Sequence, residues 1–134
     1  METRFYKCNV CGNVIVKVCD SNITPSCCGR YVTNLEANTA ENGKLEYHLP
    51  CVKRIDCNTI KVVIGRMEHP MTEQHYIRFI YLETEHGGQI RYLSPGNTPE
   101  AVFVTTEKPI AVYAYCNMHG LWKTIVSREK EDCK

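Results

Sequence analysis

Two tight groups of cysteine near the start of the chain limit what it can fold into more than any other feature. Cys8 and Cys11 are separated by two residues and followed by Gly12, and Cys27 and Cys28 are adjacent. Gly12 can take a left-handed backbone, and four thiolates in two such groups suit a tetrahedral site for iron or zinc. A segment this short cannot bury enough apolar surface to fold alone, so the pattern predicts a small domain held together by a metal.

The spacing leaves the metal open, because Cys-x-x-Cys segments bind both iron and zinc. Adjacent cysteines should distort the tetrahedron, which favours a redox iron over a structural zinc. The alternative is four unconnected thiols. Four further cysteines have no partner in this pattern and are interpreted as small buried hydrophobic residues or free thiols: Cys19, Cys51, Cys57 and Cys133. A disulfide between Cys51 and Cys57 is a minor alternative.

Composition and charge exclude several classes of protein. The chain has 134 residues, of which 23% are charged and 43% hydrophobic, as in globular proteins. A net charge of +1 gives no basic field for nucleic acid. No apolar run is long enough to span a bilayer, and the first five residues lack the apolar core of a signal peptide. We therefore expect a cytoplasmic protein, and in a reducing cytosol clustered cysteines bind metal more often than they form disulfides.

The chain is predicted to contain two domains, residues 1–37 and residues 38–134, with the polar residues 38–44 as a linker. In the second domain β-branched and aromatic residues alternate with turn signals, and no window keeps a helical period. Strands are predicted at residues 13–18, 59–64, 76–85, 89–93, 101–106, 110–115 and 121–126, with a hairpin turn at 86–88. The predicted fold is mainly β, with a small metal-clamped N-terminal domain followed by an immunoglobulin-like antiparallel β-sandwich.

The second domain carries another set of residues that bind metals, all in short, turn-rich segments. They are His48, His69, His75, Cys116 and His119. Imidazole suits iron, copper, zinc or nickel, and a thiolate adds a soft, electron-donating ligand. Five protein ligands around an octahedral ion leave one position open, where a small oxidant can bind. We expect these five residues to converge on one iron, whereas His86, in a Gly-Gly turn, is interpreted as solvated.

Three segments together carry a resemblance to a known family. The first is Phe5–Asn13 with Cys27–Gly29, the second is Glu68–His75, and the third is Tyr115–Trp122. At these residues, and with His48 in the expected order, the sequence resembles the desulfoferrodoxin family of superoxide reductases. The resemblance spans nearly the whole chain.

The resemblance implies two iron centres per chain. The first is a desulforedoxin-like centre of Cys8, Cys11, Cys27 and Cys28, in which zinc is also possible. The second, in a neelaredoxin-like catalytic domain, is a square-pyramidal ferrous centre with His48, His69, His75 and His119 in the plane and Cys116 axial. The implied reaction is the one-electron reduction of superoxide to hydrogen peroxide, as a detoxification, with electrons from an external donor such as rubredoxin. A homodimer and an anaerobic or microaerophilic host are also implied.

Two further site residues are assigned through the resemblance. Glu46 matches the family glutamate that can ligate the ferric iron once product leaves. Tyr47 stands where the family usually has a lysine, whose charge attracts superoxide and helps to order water for protonation. A tyrosine donates a hydrogen bond but offers no positive charge. We therefore expect weaker electrostatic steering and a shallower salt dependence of the rate.

Two other classes of function compete with a superoxide reductase. One is a non-enzymatic iron or copper electron carrier, but a blue-copper site normally has a methionine shortly after its histidine, and none follows His119. The other is a binding module stabilised by zinc in the cysteine site, in which the histidines are incidental. Met71 and Met118 are interpreted as packing residues within the ligand segments, and Trp122 as a shield for Cys116.

Overall fold

The structure is a computed structural model that describes residues 3–39, 48–65 and 69–126. The chain divides into two compact units, Met1–Glu36 and Ala37–Lys134. The described residues form strands and turns and contain no helix. Accordingly, this part of the chain holds no helix long and apolar enough to cross a membrane.

The first unit has five very short strands among its described residues. They are β1 (Phe5–Lys7), β2 (Val14–Val16), β3 (Ser26–Cys27), β4 (Arg30–Tyr31) and β5 (Thr33–Leu35). β1 lies between β2 and β5 in one antiparallel sheet, and β3 pairs with β4 in a second. Its buried cluster consists of Tyr6, Cys8 and Val32, and Phe5 is buried as well. Four buried side chains supply little hydrophobic stabilisation, so the unit depends on its cysteine cluster.

Left-handed backbone at three positions shapes the two cysteine segments. Gly12 and Gly29 have φ of 83° and 74°, a region that glycine adopts at no steric cost, and the prediction for Gly12 is thus confirmed. Cys28 has φ of 54°, which is strained for a residue with a side chain. Cys28 and Gly29 therefore form a two-residue hairpin turn with positive φ at both positions, and this turn lets two adjacent cysteines share one site.

The second unit has seven strands among its described residues. They are β6 (Pro50–Asp56), β7 (Thr59–Ile64), β8 (Ile77–Thr84), β9 (Gly87–Tyr92), β10 (Glu100–Val104), β11 (Pro109–Cys116) and β12 (Gly120–Ile125). One antiparallel sheet has the order β10-β7-β6 and the other the order β12-β11-β8-β9. β6 is not among the strands predicted from the sequence, because a proline opens it and charged residues occupy its second half.

The core of the second unit lies between these two sheets. Val62, Ile64 and Phe103 contribute from one sheet, and Leu82 and Val112 from the other, and all five are 0% exposed. Inward-facing residues of both sheets meet in this layer, as a β-sandwich requires. The predicted fold class, mainly β with an immunoglobulin-like sandwich, is therefore confirmed.

The hairpin between β8 and β9 differs from the prediction. Its turn is formed by Glu85 and His86, and Gly87 and Gly88 belong to β9 rather than to the turn. Gly88 is needed within the strand because the Tyr81 ring occupies the place where a side chain at this position would lie. Gly88 is therefore explained by packing and not by a turn.

The predicted linker also begins too early. The Asn38 backbone N–H donates to the Leu121 carbonyl, and the Lys123 N–H donates to the Asn38 carbonyl, both at 2.9 Å. The Asn38 side-chain amide donates to the Leu121 carbonyl as well, at 3.1 Å. Asn38 therefore lies beside β12 at the edge of the sheet, while residues 40–44 of the predicted linker lie outside the described part of the chain.

Candidate metal centres

The four clustered cysteines of the first unit converge on one point. Their sulfur atoms all lie within 4.8 Å of one another. The Sγ atoms of Cys11 and Cys27 are 3.6 Å apart, and those of Cys27 and Cys28 are 3.9 Å apart. Four sulfurs that bind one ion tetrahedrally at about 2.3 Å lie about 3.8 Å from each other. The cluster therefore fits an iron or zinc ion with little rearrangement.

Hydrogen-bond donors point at the sulfurs of this cluster. The Cys11 backbone N–H donates to Cys8 Sγ at 3.5 Å, and the Asn13 amide donates to Cys27 Sγ at 3.7 Å. Backbone N–H groups, first that of Cys11, lower the pKa of Cys8 to about 6. The neighbouring thiols of Cys11 and Cys27 raise the pKa of Cys28 to about 12. A cation bound here therefore has to displace protons from the sulfurs with raised pKa.

Four imidazole rings of the second unit form a square. Going round in the order His48, His69, His75, His119, neighbouring ring centroids are 4.6–4.9 Å apart and neighbouring planes are inclined by 64–77°. The centroids of His48 and His75, which lie diagonally across the square, are 6.4 Å apart. Four ligands in one plane around a single ion require this arrangement.

The short contacts inside the square cannot all be hydrogen bonds. His119 Nδ1 lies 3.1 Å from His48 Nε2, 3.2 Å from His75 Nε2 and 3.7 Å from Cys116 Sγ. One imidazole nitrogen takes part in a single hydrogen bond, either as donor or as acceptor. Two nitrogens bound at right angles to one ion at about 2.1 Å are about 3.0 Å apart. The contacts therefore fit a shared metal ion better than a hydrogen-bonded network.

His69 is linked to the square by its ring contacts and by an unpartnered nitrogen. It is 1% exposed. The ligand atoms of the other three histidines and of Cys116 all lie within 4.8 Å of one another, and His69 is not part of that group. Its Nδ1 donates to the Pro70 carbonyl at 2.6 Å, which leaves the lone pair on Nε2. That Nε2 is buried and has no hydrogen-bond partner among the described residues. A metal ion in the square would satisfy it.

Burial lowers the pKa values of three imidazoles of this site. It lowers the pKa of His48 to about 4, and repulsion from the other three rings adds to the effect. Burial also lowers the pKa values of His69 and His75. The same cause raises the pKa of the Cys116 thiol, although two backbone N–H groups of the following turn oppose it. The lowered pKa values of these three histidines favour the neutral rings that a cation needs as ligands, and its binding would release the Cys116 proton.

The turn between β11 and β12 positions two of these residues. Cys116 is the last residue of β11 and is fully buried in the sandwich core. His119 is exposed and precedes Gly120, which has φ of 82° at the start of β12. The positive φ turns the chain back into the sheet after only three intervening residues. The thiol consequently lies on the core side of the site.

Trp122 contacts two of the imidazole segments. Its ring stacks on His48, with centroids 4.8 Å apart and planes inclined by 14°, and its Nε1 donates to the His119 carbonyl at 3.1 Å. From the sequence it is interpreted as a shield for Cys116, whereas the structure places it against His48. His48 is remote in sequence, so no local pattern could have indicated this contact.

The sequence of the second unit matches a known family. The family model described as desulfoferrodoxin matches residues 37–125. The chain belongs to the desulfoferrodoxin family. Desulfoferrodoxin from Desulfarculus baarsii is 40% identical over 119 residues, which cover 88% of this chain and 92% of that protein. The family assigned from the sequence is thus confirmed.

Two proteins described as superoxide reductases are also similar to this desulfoferrodoxin family member. Superoxide reductase from Pyrococcus abyssi is 36% identical over 104 residues, which cover 64% of this chain and 90% of that protein. The crystal structure of the superoxide reductase from Treponema pallidum matches with a TM-score of 0.77 and 25% identity. That match covers 92% of this chain and 98% of the other.

Several residues singled out from the sequence lie apart from both clusters. His86 is exposed, as predicted. Met71 packs against the sandwich core, as predicted, but Met118 is 60% exposed, so its interpretation as a packing residue is wrong. Glu46 and Tyr47 lie outside the described residues.

The remaining cysteines differ from one another. Cys19 and Cys57 are free and exposed, and Cys51 is disulfide-bonded. Because the Cys57 thiol is free, a disulfide between Cys51 and Cys57 is not formed. Cys133 lies outside the described residues.

Proposed function

We propose that this member of the desulfoferrodoxin family is a superoxide reductase. In this reaction superoxide takes up one electron and two protons and becomes hydrogen peroxide, so no dioxygen is formed. The observation that carries the proposal is the square of four imidazoles beside the buried thiol of Cys116. The similar proteins from Pyrococcus abyssi and Treponema pallidum, which are described as superoxide reductases, support it.

The proposed ligands of the reactive iron are His48, His69, His75 and His119 in one plane, with Cys116 on the core side. Iron held by these residues supplies the electron for superoxide, and a thiolate ligand increases its electron density. The buried position of Cys116 keeps water and external oxidants away from the sulfur. Because the Cys116 thiol lies on the core side of the four imidazoles, their opposite side would be left for the substrate.

We assign Glu46 and Tyr47 to the substrate side of this plane, as the family resemblance implies. Glu46 would take the sixth position after product leaves. Tyr47, in place of the family lysine, would donate a hydrogen bond without adding positive charge. On this assignment the superoxide rate should depend only weakly on salt concentration.

The four cysteines of the first unit would hold a second iron, which passes electrons from an external donor of the rubredoxin type. Zinc in this site would support the fold but could not transfer electrons. We further propose a homodimer, in keeping with the family resemblance, and a cytoplasmic location, as expected from the sequence.

The number of imidazoles and the segments that they come from also help to separate the competing functions. A blue-copper carrier uses two imidazoles and one thiolate, and the square has four imidazoles. In a zinc-stabilised binding module the histidines are incidental, but here four imidazoles from three separate segments come together. Both features favour the reductase.

Product stoichiometry tests the proposed activity. Reduced protein, purified without air, is challenged with superoxide, and the hydrogen peroxide and dioxygen formed are counted for each superoxide consumed. One peroxide per superoxide, with dioxygen only at the spontaneous background, is expected. Half a peroxide with matching dioxygen would show dismutation, and consumption at background would show no activity.

Two cysteine variants make the stoichiometry test specific. Cys116→Ser removes the proposed thiolate ligand and should abolish the reaction. Cys57→Ser removes a free, exposed thiol outside both clusters and should leave the product ratio unchanged.

A further inference from the structure

Asn117 lies between the proposed ligands Cys116 and His119, and it is hydrogen-bonded to the segment that carries His75. Its side-chain amide donates to the Gln74 carbonyl at 3.0 Å, and its side-chain oxygen accepts from the Tyr76 N–H at 2.9 Å. Its own backbone N–H donates to the Tyr76 carbonyl at 3.2 Å. Three hydrogen bonds from one residue therefore hold the chain immediately before and immediately after His75.

The hydrogen bonds of Asn117 lie just beyond the point where the regular pairing of β11 with β8 ends. Along β11 and β8 the regular pairing reaches Tyr115 opposite Phe79, then shifts so that Cys116 lies opposite Ile77. A shift of this kind breaks the ladder of backbone hydrogen bonds. The side chain of Asn117 supplies the contacts that the ladder no longer provides, and it ties the thiol turn to the His75 segment.

The other side of the His75 segment is held by its own turn. The Thr72 N–H donates to the His75 carbonyl at 2.9 Å, and the His75 N–H donates to the Thr72 hydroxyl at 3.1 Å. These local bonds fix the shape of the turn, but they do not fix its distance from Cys116 or His119. That distance depends on contacts between the two segments, and Asn117 makes two of them with its side chain and one with its backbone N–H.

We propose that Asn117 is a positioning residue of the iron site, which sets the place of the His75 imidazole relative to Cys116 and His119. The inference rests on the proposed function only in taking iron as the metal of this site. The proposed role of Asn117 depends on its hydrogen bonds to Gln74 and Tyr76 and requires no contact with substrate. Nothing in the sequence other than its place between two ligands indicates this role.

The first experiment compares iron retention in Asn117→Ala and wild-type protein with both centres loaded. Residues that orient metal ligands typically contribute about 10–100-fold in metal affinity, so release of iron from the histidine centre to a chelator should be at least about tenfold faster in the variant. The thiolate-to-iron absorption band of that centre should also shift. The cysteine centre of the same chain gives an internal reference, and its absorption should stay unchanged.

Gln89→Ala is the matched control. The Gln89 amide donates to the Val104 carbonyl at 2.9 Å, and Gln89 pairs with Leu82, towards the end of β8 away from Ile77. This variant also loses one half-buried side-chain amide from the same unit. Release rate and absorption band should both match the wild type.

A second variant separates positioning from loss of fold. Asn117→Asp keeps an oxygen for the Tyr76 N–H and loses the donor to Gln74, so its release rate should lie between those of wild type and Asn117→Ala. Wild-type release and an unshifted band in Asn117→Ala would overturn the proposal, as would equal effects of Gln89→Ala. Both readouts are independent of superoxide turnover. If the wild type holds iron but fails the stoichiometry test, the proposed activity falls and the role of Asn117 stands.

Discussion

At the scale of single residues, the side chains that hold ligands in place matter as much as the ligands. Trp122 is the only tryptophan of the chain; it stacks on His48 and binds the His119 carbonyl. The two imidazoles come from segments 71 residues apart, so one indole fixes their relative position. The stacking and the hydrogen bond are separable by substitution, because phenylalanine retains an aromatic ring without the N–H.

We expect Trp122→Phe to lower the free energy of unfolding of the second unit by about 1–2 kcal/mol, from the lost hydrogen bond and the smaller ring. Trp122→Leu, which also loses the stack on His48, should be less stable and release iron faster than Trp122→Phe. Urea unfolding followed by circular dichroism and iron release to a chelator measure the two effects. Equal iron release from both variants would contradict a role for the stacking.

That the residues of both clusters lie together could be predicted from the sequence, because metals are bound by few residue types at short spacings. Cys8 with Cys11 and Cys116 with His119 are such pairs. The contacts of Asn117 and Trp122 could not be predicted, since each depends on a segment that is remote in sequence. The exposure of Met118 could not be predicted either, because its position between two ligands gives no sign of which way it faces.

At the scale of strands and turns, the β8–β9 hairpin depends on one close approach. The Tyr81 ring lies where a side chain at Gly88 would be, whereas a side chain at the neighbouring Gly87 would meet no atom within 4 Å. The two glycines are adjacent in sequence and differ in what surrounds them. They therefore allow a matched comparison within one strand.

Gly88→Ala should destabilise the second unit by about 1–3 kcal/mol, because the tyrosine ring has to move to accommodate the methyl group. Gly87→Ala should be close to neutral. Combined with Tyr81→Ala, the effect of Gly88→Ala should largely disappear, since the two residues are in contact. Thermal unfolding of the four variants measures this, and an undiminished cost of Gly88→Ala in the double variant would show that the ring is not the cause.

The same hairpin is tied to the β10–β11 connection by Glu107. Its Oε1 accepts from the Thr84 hydroxyl at 2.5 Å and from the His86 N–H at 3.3 Å, and the bond from Thr84 is the main reason why the pKa of Glu107 is lowered. A carboxylate whose pKa is lower in the folded state than in the unfolded chain stabilises the fold above the unfolded pKa. That contribution is lost as the pH falls through the folded pKa.

Glu107→Gln should therefore be less stable than wild type at neutral pH, and the difference should shrink at a pH below about 4, where the unfolded carboxyl is protonated. Unfolding midpoints measured between neutral pH and about pH 3 test this. Glu85→Gln removes one carboxylate from the same hairpin and controls for net charge. A difference that is unchanged on acidification would rule out the carboxylate as its source.

The strands of the second unit could largely be predicted because each long β-branched or aromatic run becomes a strand. β6 could not be predicted, because it begins with Pro50 and its second half is charged. Its first three residues are nevertheless buried. The two-residue strands β3 and β4 could not be predicted either. They exist because the turn at Cys28 and Gly29 brings the cysteines together, and no hydrophobic period specifies them.

At the scale of the whole molecule, the two units gain their stability in different ways. The second unit has a continuous apolar layer between two sheets. The first unit buries four hydrophobic side chains among its described residues, and it leaves Val18, Ile23 and Tyr31 exposed by 83%, 70% and 77%. Fewer than about 40 residues rarely fold without a metal, a disulfide or a partner. The sulfur cluster is therefore the main source of order within the first unit.

Removing the metal from the sulfur cluster should unfold the first unit while the second unit stays folded. Structural zinc sites in small domains contribute about 10–16 kcal/mol of apparent binding energy, more than a few buried side chains supply. In Cys11→Ser protein, amide hydrogens of β1 should exchange at nearly the unfolded rate, while those of β7 and β11 should keep wild-type protection. Cys19→Ser, which removes an exposed free thiol of the same unit, should leave both regions protected. Protection of β1 in Cys11→Ser would mean that the small core suffices and that the metal serves electron transfer alone.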